Sequence, residues 1–432
     1  MQVARRAITA ESAKTSVRWK IFVTMLMLIT INYVDRASLS VAMPLIADEF
    51  KLSPSMQGLV FSSFFWTYAL LQIPGGMLAD RFKPRIVIAS STVFWGTFQL
   101  LAAICSGGGS LILTRLALGA AEAPIYPAGG KLNGIWMTQH ERGRGATLLD
   151  GGAPLGAALG SILVTWLIGV FKSWRSAFVI AGAGTVLAGA WAWRYVRNSP
   201  VEHPGVNEAE ASYIEAAHRL EHGTEPSILT GRYLDFFKYR SVWAMCFGWM
   251  CFNSLFYGLL TWMPSYLNKV HSFDITSMGG ASFIVFLSGF AGELAGGWVA
   301  DRWSASGASP NRVMRTLFGF AAIVATASIF SVSYASNSFI VVALLSSTLF
   351  FLRWCGLYWS VPSMIGTRAK VGFLGGVMNL GGNIAGIGVP VIVGMIVQFT
   401  GSYFAALMFF ASAGLGLLIG SLAVDYETKL PV

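Results

Sequence analysis

The sequence predicts an all-α integral membrane protein, with twelve transmembrane helices in two pseudo-symmetric six-helix bundles, and three observations predict it. Of 432 residues, 55% are hydrophobic and only 12% charged, about half the charge of an ordinary soluble domain. Apolar runs recur along the whole chain, and twelve spans of roughly 20 residues would occupy about 240, just over half of it. Finally, Gly76-Met-Leu-Ala-Asp80-Arg81 returns as Gly297-Trp-Val-Ala-Asp301-Arg302, about half a chain length later.

The first six spans are expected at 20–45, 57–79, 86–106, 110–132, 145–170 and 174–196, and six more at 241–267, 277–300, 313–334, 338–366, 371–398 and 402–424. Two bundles, 1–200 and 241–432, would flank a linker at 201–240, the longest polar stretch. Within that linker Asn207, with Glu210 three residues on, reads as the start of a capped surface helix. The first twenty residues are polar and lack the apolar core of a signal peptide.

The net charge of +10 lies between the apolar runs and on one side. Arg5, Arg6, Lys14, Arg18 and Lys20 precede the first span; Arg81, Lys83, Arg85, Arg142, Arg144, Arg302, Arg312, Arg315, Arg368 and Lys370 follow in alternate connections. The intervening connections carry little beyond Lys51, Lys172 and Lys269. By the positive-inside rule both termini and the linker face the cytoplasm, which requires an even number of spans. Such a distribution points to a lipid bilayer as partner and away from nucleic acid.

Four cysteines, Cys105, Cys246, Cys251 and Cys355, sit in apolar stretches without metal-ligand spacing, and the five histidines fall in polar connections. Neither a metal nor an organic cofactor is expected. The chain has no H-E-x-x-H, no nucleophile elbow and no phosphate-binding loop, which argues against an enzyme and against a self-contained ATP-driven pump. No appended domain is expected to read out a signal, which argues against a sensor. Two related halves around a midplane cavity form a transporter architecture. The repeated turn, Gly76, Asp80, Arg81 and its counterpart Asp301, Arg302, fits gating: Gly allows close helix packing, and Asp-Arg can pair with a neighbouring helix end.

Ionised side chains deep in a bilayer cost about 2.5–3.5 kcal/mol each, so each asks for a partner or a purpose. The candidates are Asp35, Arg36, Arg115, Glu122, Asp150, Glu293 and Arg353. Tyr33 and Arg36, three apart, share a helix face that could present a guanidinium to a carboxylate. Asp35, next to Arg36, points about 100° away and needs a partner of its own. Arg115 and Glu122 lie two turns apart on one face, too far for a tight bond, and could serve one cavity at different depths. A substrate that draws Arg from Glu122 would ease protonation of the carboxyl; the alternative is a static buried Arg-Glu pair. Pro124 and Pro127 interrupt the fourth span just beyond Glu122. Asp150 could accept hydrogen bonds from hydroxyls and Arg353 could meet a second carboxylate; equally they could pair with each other, or Arg353 with Glu293. Glu293, two turns before Asp301, reads as part of the gating turn. Trp354, Tyr358 and Trp359 cluster in the tenth span, and Trp359 is the candidate for contact with a ring. Asn379 and Asn383, one turn apart, offer neutral donors and acceptors.

Three segments, NYVDRASLSVAMP at 32–44, GGMLADRFKPR at 75–85 and RLALGAAEAPIYPAGGK at 115–131, resemble the major facilitator superfamily and, within it, the anion:cation symporter family. The likeness covers the whole chain and departs from the pattern at Lys83 and Pro84. It implies proton-coupled uptake of a small carboxylate across a bacterial inner membrane: a hexuronate, aldonate or aldarate, or alternatively an aromatic acid such as phthalate. Exchange or uniport without proton coupling is the competing transport reading. Carried over by motif, the proton-coupling pair falls on Asp35 and Glu122 and the carboxylate-handling arginines on Arg36 and Arg115. Sugar-contacting positions fall on Tyr33, Tyr68, Trp359 and Asn379. The proton is then the coupling ion, and the chain is expected to act as a monomer.

Overall fold

The structure is a computed structural model and describes residues 13–138, 141–222, 232–366 and 371–430. The helices are α1 (Val17–Phe50), α2 (Pro54–Phe82), α3 (Pro84–Ala102), α4 (Gly108–Glu122), α5 (Ile125–Trp136), α6 (Arg142–Phe171) and α7 (Trp174–Tyr195). After the linker helix α8 (Glu208–His222) come α9 (Arg240–His271), α10 (Ile275–Ala305), α11 (Pro310–Val332), α12 (Ser338–Leu352), α13 (Val361–Ile365), α14 (Val371–Thr400) and α15 (Tyr403–Ala423). Ten of the described segments are long and apolar enough to cross a membrane on composition alone. Helix α2 and the broken pair α4–α5 complete twelve spans. The sequence expectation was short at several ends, most of all for α1, which runs from Val17 to Phe50.

Starts of helices follow local chemistry. Ser53, Asp274, Ser309, Asn337 and Ser402 each accept a bond from a first-turn amide, and Pro54 and Pro310 occupy the first helical position, where a missing N–H costs nothing. Helix α1 has no such local cap, since Ser16 makes no side-chain bond. Its cap arrives from the linker, because Glu210 accepts from the amides of Val17 and Arg18 at 3.0 and 3.2 Å. Asn207 does cap α8, accepting from the amide of Glu210 at 2.9 Å. The helix is nonetheless no free surface element, since Glu210 is fully buried.

The pseudo-symmetry is visible in which spans touch. Within the first bundle α1 packs on α6, α3 on α7, α2 on α4, and α3 on α4; six spans later the same pairings recur as α9 on α14, α11 on α15, α10 on α12, and α11 on α12. The contacts between bundles obey the same rule: α2 meets α14 and α6 meets α10, on either side of α1 against α9. Spans four and ten both break at mid-depth, the fourth at Ala123–Pro124 and the tenth through a 3-10 stretch, Arg353–Ser360. Such breaks in equivalent positions free polar groups where a cavity can use them.

The bundles join chiefly in the half of the molecule distant from the termini. There Ser62 Oγ donates to the carbonyl of Ile387 at 2.6 Å, the amide of Ser55 to Gln398 at 3.1 Å, and Lys269 pairs with Asp48 at 3.6 Å. A Cβ on Gly58 would lie 2.5 Å from the carbonyl oxygen of Pro390, and one on Gly394 2.6 Å from that of Pro54, so these glycines let α2 and α14 touch backbone to backbone. Toward the termini the glycine face of α14 meets no neighbour: a Cβ on Gly375 or Gly376 would find nothing within 4 Å.

The gating turn does not pack as expected. Gly297 faces open space, and a Cβ on Gly76 would make only an ordinary 3.6 Å contact with Pro127. Gly75, one residue earlier, is the close approach, with Pro124 Cα at 2.7 Å. Asp301 and Arg302 are exposed, Arg302 over the ring of Trp298, and Arg81 is likewise exposed at the end of α2. The side chain of Asp80 lies outside the described residues.

Candidate functional site

Two buried ionic clusters and a cavity occupy the middle of the molecule. The first cluster belongs to the amino-terminal bundle. Arg36 on α1 donates through Nε and Nη2 to Glu122 Oε2, at 3.2 and 2.9 Å, with side chains 3% and 0% exposed. Its guanidinium carbon also lies 4.7, 4.4 and 4.9 Å from the rings of Tyr33, Phe64 and Tyr68. These faces supply attraction in the absence of water. Nη1 of Arg36 and Oε1 of Glu122 have no hydrogen-bond partner.

Glu122 is therefore held by Arg36, from another helix, and not by Arg115. The two-turn separation of Arg115 and Glu122 along α4 proves too long for a bond, as helix geometry requires. Arg115 is 5% exposed, lies over Phe64 at 5.1 Å, and leaves Nε and Nη1 unbonded. A buried guanidinium with free donors has the chemistry to bind an anion. Asp35 turns the other way, as adjacent helical residues must: its Oδ2 accepts from Trp95 Nε1 and Thr185 Oγ1, both at 2.9 Å, and Oδ1 is unbonded. It sits among α1, α3 and α7, away from the bundle interface.

The second cluster links the bundles. Arg353, at the break of span ten, donates through Nη2 to both Asp150 on α6, at 2.9 Å, and Glu293 on α10, at 2.6 Å. The sequence left two pairings of Arg353 open, and both exist. Glu293 belongs here and not to the gating turn, since its side chain, 9% exposed, points across to the break. Arg353 also lies 5.6 and 5.2 Å over the rings of Phe252 and Phe256.

Between the clusters is a cavity lined by residues of both bundles. Its wall includes Tyr33, Tyr68, Asp150, Arg353, Trp359 and Asn379 of the candidates; Asn383 joins them. Asp35, Arg36, Arg115 and Glu122 are not on that wall: Arg36 lies behind Tyr33 and Tyr68, one ring away. Residues that sequence reasoning missed complete the lining, among them Tyr126, Trp249, Asn253 and Tyr257. Trp249 packs edge-on to Trp359, with its Nε1 unbonded, whereas Tyr358 is fully buried and bonded to Ser421 at 2.8 Å. Asn379 and Asn383 are not free: both approach Gln72 Oε1 on α2, at 2.9 and 3.5 Å. Gln72 was overlooked, although an amide inside an apolar span is itself a signal.

The four cysteines are free. Among the described residues no group of His, Cys, Asp and Glu could hold a metal ion.

A family model described as Major Facilitator Superfamily matches residues 25–390. The chain belongs to the major facilitator superfamily. Among its relatives is a protein of Bacillus subtilis (strain 168) named "Probable galactarate/D-glucarate transporter", 32% identical over 96% of this chain and 93% of its own. Another is a D-galactonate transporter of Escherichia coli O6:H1, 30% identical over 94% of each chain. The fold matches that of a bacterial homologue of the lysosomal transporter Spinster in an inward-facing, occupied conformation, with TM-score 0.70, 17% identity, and 95% and 94% coverage. This superfamily member is thus a multi-pass membrane transporter and not an enzyme, and both of these sequence relatives are named for sugar acids.

Proposed function

We propose that the chain imports a sugar-acid anion together with protons by alternating access across a bacterial inner membrane. The observation that carries this reading is the Arg36–Glu122 pair, buried one ring behind a cavity that both bundles line. A carboxylate entering beside Tyr33 and Tyr68 meets the unbonded Nη1 of Arg36 and the unbonded donors of Arg115. It competes with Glu122 for the guanidinium, and a carboxyl that loses its cation in a dry site is stabilised by taking a proton. Release of the substrate returns Arg36 to Glu122 and expels the proton. Asp35, held by Trp95 and Thr185 alone, is the second proton carrier. Trp359, Asn379 and Asn383 supply a ring face and amides for the hydroxylated body of the substrate.

Positive charge on the terminal side supports cytoplasmic termini, and with that orientation the close contact of α2 with α14 at the far end closes the side away from the cytoplasm. The relatives' names divide between acids with a carboxylate at each end, galactarate and D-glucarate, and one with a single carboxylate, D-galactonate.

Purified protein in sealed vesicles is to be given labelled galactonate, glucuronate, galactarate and phthalate, with and without an inward proton gradient. Sugar-acid uptake that rises with the gradient and loses that response in Glu122→Gln is the expected result. Saturable uptake indifferent to pH would replace symport by exchange or uniport, and uptake of phthalate alone would move the substrate class to aromatic acids.

A further inference from the structure

The cavity is electrically asymmetric, and the asymmetry bears on what the far end of the substrate can be. On the amino-terminal side two guanidiniums, Arg36 and Arg115, stand near the single carboxylate bonded to Arg36. On the opposite side the relation is reversed. The guanidinium of Arg353 is bonded by two carboxylates through one nitrogen, Nη2, so Asp150 and Glu293 are close neighbours of each other. Fully ionised, that cluster carries one negative charge; with a proton shared between the acids it is neutral. In neither state is it positive.

Exposure sharpens the point. Within the cluster the Asp150 side chain is the most open, at 18%, against 9% for Glu293 and 2% for Arg353. What the cavity meets is mainly a carboxylate, with the guanidinium tucked between it, Glu293 and the rings of Phe252 and Phe256. Nη2 is committed to both acids and Nε, though unbonded, is buried, so a carboxylate approaching the guanidinium from the cavity would face Asp150 at close range in a low-dielectric site. A hydroxyl placed there donates to the same oxygen atoms and is held.

From this we infer that the Asp150–Arg353–Glu293 cluster selects substrates with one carboxylate and an uncharged, hydrogen-bond-donating far end, and rejects those with a carboxylate at both ends. The transporter is in these terms an aldonate or hexuronate carrier and not an aldarate carrier. Arg353 then does not receive a second carboxylate; it holds the two acids in place across the bundle interface. The inference rests on the proposed reading of the cavity as a sugar-acid site.

Galactonate and galactarate make the decisive pair, because they share a carbon chain and hydroxyls and differ at one end, a CH2OH against a carboxylate. Uptake of each is measured in vesicles containing the purified protein, followed by Asp150→Asn and Glu293→Gln. The unmodified protein should transport galactonate with kcat/KM at least tenfold above galactarate. Either variant removes one negative charge while keeping shape, and should narrow that ratio severalfold by improving galactarate. Glu293→Gln does so without altering the cavity wall, and if both variants misfold the ratio in the unmodified protein still decides. Galactarate transported as well as galactonate overturns the inference, and so does a tenfold preference that neither transport-competent variant changes. Failure to take up either acid would instead overturn the sugar-acid reading and this inference with it.

Discussion

Removing the carboxylate of Glu210 should loosen the amino-terminal bundle from a position 192 residues away from the helix it serves. Helix α1 begins without a local cap, and Glu210 accepts from the amides of Val17 and Arg18, from Thr15 Oγ1 at 2.6 Å and from Arg18 Nη1 at 2.7 Å. Loss of a helix cap costs about 1 kcal/mol. Stripping one partner from a buried ion pair costs about 3–5 kcal/mol, less here because Arg18 keeps Glu141 at 3.0 Å. Because one carboxylate serves both roles the two do not add, and Glu210→Ala should cost about 3–4 kcal/mol. Glu210→Gln, which keeps one acceptor, should cost roughly half of that.

The assay is thermal unfolding in detergent micelles followed by fluorescence of the 15 tryptophans. Glu215→Ala is the control, since its pair with Arg219 is exposed, at 63% and 77%, and it should melt with the unmodified protein. The pH dependence has a definite sign. Burial on its own raises the Glu210 carboxyl, but hydrogen bonds from Thr15, the Arg18 side chain and the two amides outweigh it and hold the group below its ordinary value. A depressed carboxyl contributes stability above its unfolded value, near pH 4.3, and loses it as pH falls through the folded one. The gap between the unmodified protein and Glu210→Gln should therefore close in acid. Equal melting of Glu210→Ala and Glu215→Ala at neutral pH would refute the tertiary cap.

Gly292→Ala should destabilise by about 1–3 kcal/mol, because its Cβ would strike the backbone carbonyl of Phe350, while Gly297→Ala, facing open space, should melt unchanged; the same unfolding assay separates them. Gln72→Ala and Asn379→Ala should each weaken sugar-acid uptake and fail to add when combined, since they share one hydrogen bond; additive losses would show the amides acting separately. Trp95→Phe removes a donor from Asp35 and should move the pH midpoint of uptake, because that donor bonds the carboxylate and does not bond the protonated acid to the same extent. An unmoved midpoint would take Asp35 out of the proton path.

Composition, the spacing of apolar runs and the doubled Gly-x-x-Ala-Asp-Arg turn were sufficient for twelve spans and two halves, since a bilayer imposes length and hydropathy on each span independently of its neighbours. The buried charges were legible for the same reason: Asp35, Arg36, Arg115, Glu122, Asp150, Glu293 and Arg353 each break an apolar run. Helix geometry even foretold that Asp35 and Arg36 face apart and that Arg115 cannot reach Glu122. Partner choice was another matter. That Glu122 binds Arg36, that Arg353 takes both Asp150 and Glu293, that Gln72 holds Asn379, and that Glu210 caps α1 are facts about which helix lies beside which. Such contacts join residues far apart in sequence, and no local period or spacing encodes them. The same holds for the glycines: Gly76 and Gly297 look like packing residues in the motif, yet the close approaches fall on Gly75, Gly58 and Gly394, where the opposing backbone happens to arrive. Sequence determined which charges had to be satisfied within the membrane; only the packing of helices decided by whom, and so left the cavity with a carboxylate at one end and guanidiniums behind the other.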